Sequence, residues 1–113
     1  MKTKSLIGLV FFLTTVSVSA QEMRTDEFKT YGNCDMCKAR IEKAVKSVDG
    51  VTSIEWNKDT KMTKVTYDPS MTNLDKIESA IAKAGHDTDA FFARDETYNK
   101  LPACCKYERK PKE

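Results

Sequence analysis

The sequence of 113 residues has one His, one Trp, three Pro and four Gly, and little excess of either charge, with 19 Lys and Arg against 17 Asp and Glu. Each shortage excludes something. A formal charge of +2 argues against a dedicated nucleic-acid binder, whose domain is usually strongly basic. So few Gly and Pro, beside five Phe and four Tyr, argue against a disordered chain. No acid/base pair, phosphate loop or Ser/His/Asp set is visible, so the sequence does not read as an enzyme. After residue 20 no apolar run approaches the ~20 residues that a bilayer span needs. One domain with one core is the expectation at this length.

The first twenty residues contain no acid. Lys2 and Lys4 open them, Leu6 to Leu13 form a dense apolar run, and Val18-Ser19-Ala20 supplies small side chains. This is the pattern of a secretory signal peptide cut after Ala20, and it predicts a periplasmic or secreted protein. Losing Lys2 and Lys4 lowers the 19 basic residues to 17, equal to the 17 acidic ones, so the exported chain is formally neutral.

Export leaves the four cysteines two fates, disulfides or soft-metal ligands. Cys34 and Cys37 form C-x-x-C, whereas Cys104 and Cys105 are adjacent and far along the chain. Alternation at 27–31 predicts a first strand, ended by Gly32-Asn33. At 38–48, Cys37, Ile41, Ala44, Val45 and Val48 recur at helical spacing, opposite Lys38, Arg40, Glu42, Lys43 and Lys46. Two further strands, 51–56 and 62–67, form a hairpin. A second helix begins at an Asn73 or Thr72 cap and stops at Gly85. A last strand is expected at 88–93 around Phe91 and Phe92. With right-handed crossovers the order gives an α+β fold: a ferredoxin-like βαββαβ sandwich, a four-stranded antiparallel sheet with two helices on one face. The domain covers 21–93, and a Cys-containing C-terminal tail covers 94–113.

The C-x-x-C falls where the first strand becomes the first helix. A helix N-terminus favours negative charge and hence a thiolate. Spacing of i, i+3 lets both sulfurs meet one atom. Such a pair suits Cu(I), Hg(II), Cd(II) or Zn(II) rather than a hard cation, and Zn(II) requires two more ligands. By itself the motif leaves metal capture, thiol redox and a local disulfide open. A thioredoxin-like site needs a larger fold and usually a Trp before the first Cys, where this chain has Gly32-Asn33.

Tyr31-Gly32-Asn33-Cys34-Asp35-Met36-Cys37, followed by Ala39, Ile41, Val45 and Asp49-Gly50-Val51, resembles the heavy-metal-associated domain family. So do Val65-Thr66-Tyr67-Asp68-Pro69 and Ile81-Ala82-Lys83-Ala84-Gly85-His86. The resemblance covers 27–93. That family includes copper chaperones, modules of copper-transporting ATPases and a periplasmic mercury-binding protein. The resemblance implies that Cys34 and Cys37 bind the metal. It also implies transfer between the chain and a metal-donor or metal-acceptor protein, such as a membrane transporter. The family usually has G-M-x-C-x-x-C; here Gly32 stands two before Cys34, and Met36 lies between the cysteines as an exposed or packing side chain.

His86 follows the second helix at the metal end of this topology. It is a candidate third ligand or electrostatic tuner, against the alternative of an exposed loop histidine. Cys104 and Cys105 are poorly placed to bridge each other. At ~3.3 Å per residue the tail is long enough to return to Cys34 and Cys37. Its thiols then complete the metal site, lock it by oxidation, or pin the tail elsewhere. The expected function is capture and transfer of Cu(I), with Hg(II) scavenging, Zn(II) binding or a thiol-disulfide role as alternatives.

Overall fold

The computed structural model describes residues 22–111. The signal peptide expected at 1–20 lies outside them. In chain order the elements are β1 (Arg24–Lys29), α1 (Asp35–Lys46), β2 (Val51–Trp56), β3 (Met62–Tyr67), α2 (Leu74–Lys83), a short α3 (Asp95–Asn99) and a 3-10 turn (Ala103–Cys105).

The strands form one antiparallel sheet in the order β1-β3-β2. Thr63 of β3 pairs with Phe28 on one side and Trp56 on the other. Alternation therefore sends Phe28, Trp56, Val65 and Tyr67 to the same face, where they join one buried cluster with Ile41 and Val45 of α1 and Ile77 and Ile81 of α2. The opposite face, with Thr25, Ser53, Glu55 and Lys64, is polar and exposed. The β2–β3 turn is fixed by Asn57, whose Oδ1 accepts the backbone N–H groups of Asp59 and Thr60.

Helix α1 begins three residues before the apolar spacing predicts, with Cys34 as its extended N-cap at φ −136° and Asp35 in its first turn. The acidic start and the Lys43 and Lys46 finish both complement the helix dipole. Asn73 caps α2, its Oδ1 accepting the N–H of Lys76 at 2.9 Å.

The fourth strand expected at 88–93 is not formed. One antiparallel bridge, Thr30 with Thr88, is all that pairs there. Beyond it the chain curls: the Thr88 N–H donates to the Phe91 carbonyl at 2.8 Å, and Thr88 Oγ1 accepts the Phe91 N–H. The Asp89 carboxylate takes the Lys29 N–H that a strand carbonyl would have taken. Side-chain acceptors at Thr88 and Asp89 thus outcompete the ladder.

This turn redirects the tail. Leu101, Cys105 and Tyr107 enter the same core as the helices and sheet, so the open sheet face stays uncovered by them. Gly85 (φ +108°) makes room: a Cβ there would lie 2.9 Å from Leu101 Cδ2. Among the described residues no helix is long and apolar enough to cross a membrane.

Candidate metal centre

Cys34 is the N-cap of α1 and Cys37 stands on its first turn, with their Sγ atoms 3.3 Å apart as free thiols. Cys37 is fully buried, Cys34 partly so. The Cys34 carbonyl accepts the Lys38 N–H at 3.0 Å, anchoring the helix start, and the Asn33 N–H points at Cys37 Sγ from 3.4 Å. Burial works to raise the Cys34 thiol. The Cys37 N–H and the thiols of Cys37, Cys104 and Cys105 outweigh it and lower its pKa to about 7.

Trp56 is the floor of this loop. A Cβ on Gly32 would lie 3.0 Å from both Cη2 and Cζ2 of the Trp56 ring and 3.2 Å from Cys37 Cβ. The indole therefore fills the space that a side chain at position 32 would need. Trp56 is itself fixed on three sides. Its Nε1 donates to the Thr30 carbonyl, its N–H donates to Glu42, and its carbonyl accepts from Lys38 Nζ, which also pairs with Glu42 at 2.8 Å. Nothing in the sequence singled out this support, since Trp56 read only as the end of the strand at 51–56.

The tail brings the second cysteine pair to the first. Cys105 Sγ lies 3.7 Å from Cys34 Sγ, and Cys104 Sγ lies 4.0 Å from Cys105 Sγ. The sulfurs of Cys34, Cys104 and Cys105 all fall within 4.8 Å of one another. Cys105 is fully buried; burial, followed by hydrogen bonds with Cys37 and Cys34, pushes its thiol well above the usual range. Cys104 is exposed, and its thiol is raised chiefly by the neighbouring Cys34 sulfur. Outermost is Met36, exposed, with its Sδ accepting from Cys104 Sγ at 3.7 Å.

His86 is not an exposed loop residue. It is completely buried, and it stands outside the cluster of three cysteines. Its Nδ1 donates to the Tyr31 carbonyl at 2.8 Å, and its ring stacks on Tyr107 with centroids 5.2 Å apart. That assigns the neutral tautomer with hydrogen on Nδ1, leaving Nε2 without a hydrogen-bond partner. Burial depresses its pKa, only partly offset by the Tyr31 carbonyl.

The tail is held by groups with no sequence signal of their own. The Tyr107 hydroxyl donates to the Gly85 carbonyl at 2.7 Å and accepts the Asp87 N–H at 2.9 Å. Tyr98 donates from its hydroxyl to the Tyr107 carbonyl. Arg109 pairs with the buried Asp87 and with Asp95.

The family profile described as "HMA: Heavy-metal-associated domain" matches residues 33–87. The chain is 33% identical over 86 residues to the "Mercuric transport protein periplasmic component" of Shewanella putrefaciens, over 76% of this chain and 93% of that protein. It is 38% identical over 71 residues to a "Copper-exporting P-type ATPase" of Staphylococcus aureus (strain MRSA252), over 62% of this chain and 9% of the ATPase. Among solved structures, the CopZ metallochaperone aligns with a TM-score of 0.56 at 30% identity, over 57% of this chain and 98% of that one. Oxidized MerP from Ralstonia metallidurans CH34 aligns with a TM-score of 0.57 at 28% identity, over 60% and 96%.

Proposed function

The chain belongs to the heavy-metal-associated domain family, and from that premise we propose that it is an exported carrier that captures Cu(I) and hands it to a partner. Cys34 and Cys37 are the capturing residues. The observation that carries this is the pair of free sulfurs 3.3 Å apart at the start of α1. Soft thiolates suit a soft monovalent ion, and the helix start favours their charge.

Transfer proceeds by ligand exchange. A thiolate of the partner bonds to the ion before Cys34 or Cys37 leaves and takes up a proton. The ion is never free in water, and nothing is oxidised. Cys34 is suited to move first, because its thiol is only partly buried whereas Cys37 is fully buried. The partner is a membrane transporter or another thiol protein. The role is carriage rather than catalysis, and the copper-exporting ATPase is matched over only 9% of its length. Export to the periplasm or beyond rests on the leader at 1–20.

Mercury is the second reading. It is favoured by the match to a protein named as the periplasmic component of mercuric transport, covered over 93% of its length. Hg(II) is served by the same two thiolates.

Anaerobic titration of the reduced chain with Cu(I), Hg(II) and Zn(II), followed by native mass spectrometry, tests the proposal. One tightly held Cu(I), lost in a Cys34→Ser, Cys37→Ser variant, is expected. Tighter retention of Hg(II) under thiol competition favours the second reading. No uptake of any of the three ions, with a reversible Cys34–Cys37 disulfide, would overturn both in favour of a redox protein.

A further inference from the structure

Cys105 lies beside the first cysteine pair as well as in the core. Its sulfur is buried, faces Cys34 at 3.7 Å, and arrives from 71 positions along the chain. Sulfur–metal bonds of ~2.3 Å hold two opposed thiolates ~4.6 Å apart, and three thiolates in a plane ~4 Å apart. Cys34 is the shared vertex of two short separations, 3.3 Å to Cys37 and 3.7 Å to Cys105, both nearer the three-sulfur edge than the two-sulfur span; the third edge, Cys37 to Cys105, closes when the ion draws both sulfurs in.

The third sulfur is also held in place before any ion arrives. Leu101 packs against Gly85, the Tyr107 hydroxyl is clasped between Gly85 and Asp87, and Arg109 pairs with Asp87. A ligand already ordered by its surroundings adds its bond with little ordering entropy to offset it.

We propose that the tail converts the C-x-x-C into a three-thiolate site, Cys34, Cys37 and Cys105, for Cu(I). Exposed Cys104, with the Met36 thioether beside it, is the outer step through which the ion enters and leaves. The proposal rests on Cys34 and Cys37 being the capturing pair. On loading, three thiols bond to the ion as thiolates and release three protons to solvent, with no change of oxidation state. On exchange, the Cys104 thiol gives up its proton and bonds to copper as Cys34 leaves and is reprotonated, so three sulfurs stay on the ion. The 4.0 Å gap from Cys104 to Cys105 and the 3.7 Å contact with Met36 give this step its path toward solvent.

A buried thiol also packs as a small apolar group, and X-ray absorption at the copper edge separates the two roles. The reduced full chain loaded with one Cu(I) should show three sulfur neighbours, and Cys105→Ser should show two. Competition with a chromophoric Cu(I) chelator should find affinity lowered at least about tenfold in Cys105→Ser. Cys104→Ser should keep three sulfurs on the ion and release copper to the chelator several-fold more slowly. Two sulfurs in the unaltered chain overturn the proposal, and that measurement stands even if Cys105→Ser fails to fold. Unchanged affinity in a folded Cys105→Ser overturns it equally. Cu(I) uptake that survives loss of Cys34 and Cys37 is a different result, since it removes the capture reading itself.

Discussion

Arg109 holds Asp87 with two nitrogens, Nε 3.1 Å from Oδ2 and Nη2 2.9 Å from Oδ1. The carboxylate is fully buried and also accepts the Ala93 N–H at 2.7 Å. The pair ties the tail to the loop after α2. Removing one partner of such a pair strands a buried charge. Arg109→Ala should therefore lower stability by about 3–5 kcal/mol, read from the urea midpoint. Asp87→Asn with Arg109→Ala should recover part of the loss, because the stranded charge is gone.

Acid should unfold the metal-free chain in two stages. Burial depresses the pKa of His86, so its neutral form belongs to the folded state. The unfolded ring, near ~6.5, binds its proton first. Stability is full above that value and falls as pH drops toward the folded pKa. Burial tends to raise Asp87, but Arg109 and the Ala93 N–H outweigh it and hold its pKa low. Its contribution is present above ~3.9 and is lost as pH falls further, through its folded pKa. Urea midpoints between pH 8 and 3 should show both declines. A His86→Gln variant should lose the upper one and keep the lower. An upper decline of equal size in that variant would assign it to another group.

The four thiols should differ in reactivity. Cys34, with a pKa lowered to about 7, is more ionised at neutrality than Cys104 and Cys105, which are both raised. Brief treatment of the reduced metal-free chain with iodoacetamide at pH 7 should label Cys34 first and the buried Cys105 last. Peptide mapping by mass spectrometry reads the order. Faster labelling of Cys104, following its greater exposure, would contradict the electrostatics of the cluster.

Gly32→Ala should act on fold and site together. Its new methyl meets the Trp56 ring at 3.0 Å and Cys37 Cβ at 3.2 Å. Displacing a ring fixed by Thr30, Glu42 and Lys38 should cost about 1–3 kcal/mol. Chemical denaturation reads that loss. A changed Trp fluorescence and weaker Cu(I) retention should accompany it, because Cys37 is pushed by the same atom.

The elements legible in the sequence were those whose signal is local. Strands β2 and β3 fall at 51–56 and 62–67 as alternation predicts, and Asn73 caps α2 as its residue type suggests. The C-x-x-C is legible for the same reason, since three residues of spacing suffice to bring two sulfurs together on a helix. The last strand was misread because Phe91 and Phe92 carry strand propensity. Thr88 and Asp89 instead bond the backbone locally and end the pairing after one bridge. His86 read as a third ligand or an exposed loop histidine, and its burial was not legible because it comes from Tyr107, which nothing local places on top of it. The position of Cys105 depends on Tyr107, Arg109 and Leu101 together, a packing solution among distant residues that no short pattern encodes.

The 71-residue separation of Cys34 and Cys105 also sets a schedule. A ribosome adding ~5–20 residues per second needs roughly 4–14 s to pass from one to the other. Until the last few residues of that interval the growing chain owns the C-x-x-C but neither the remaining sulfurs nor the Leu101 and Tyr107 that fill the core beside them. Completion of the hydrophobic interior and completion of the sulfur set are therefore a single late event, so a chain cut short before Leu101 lacks both at once.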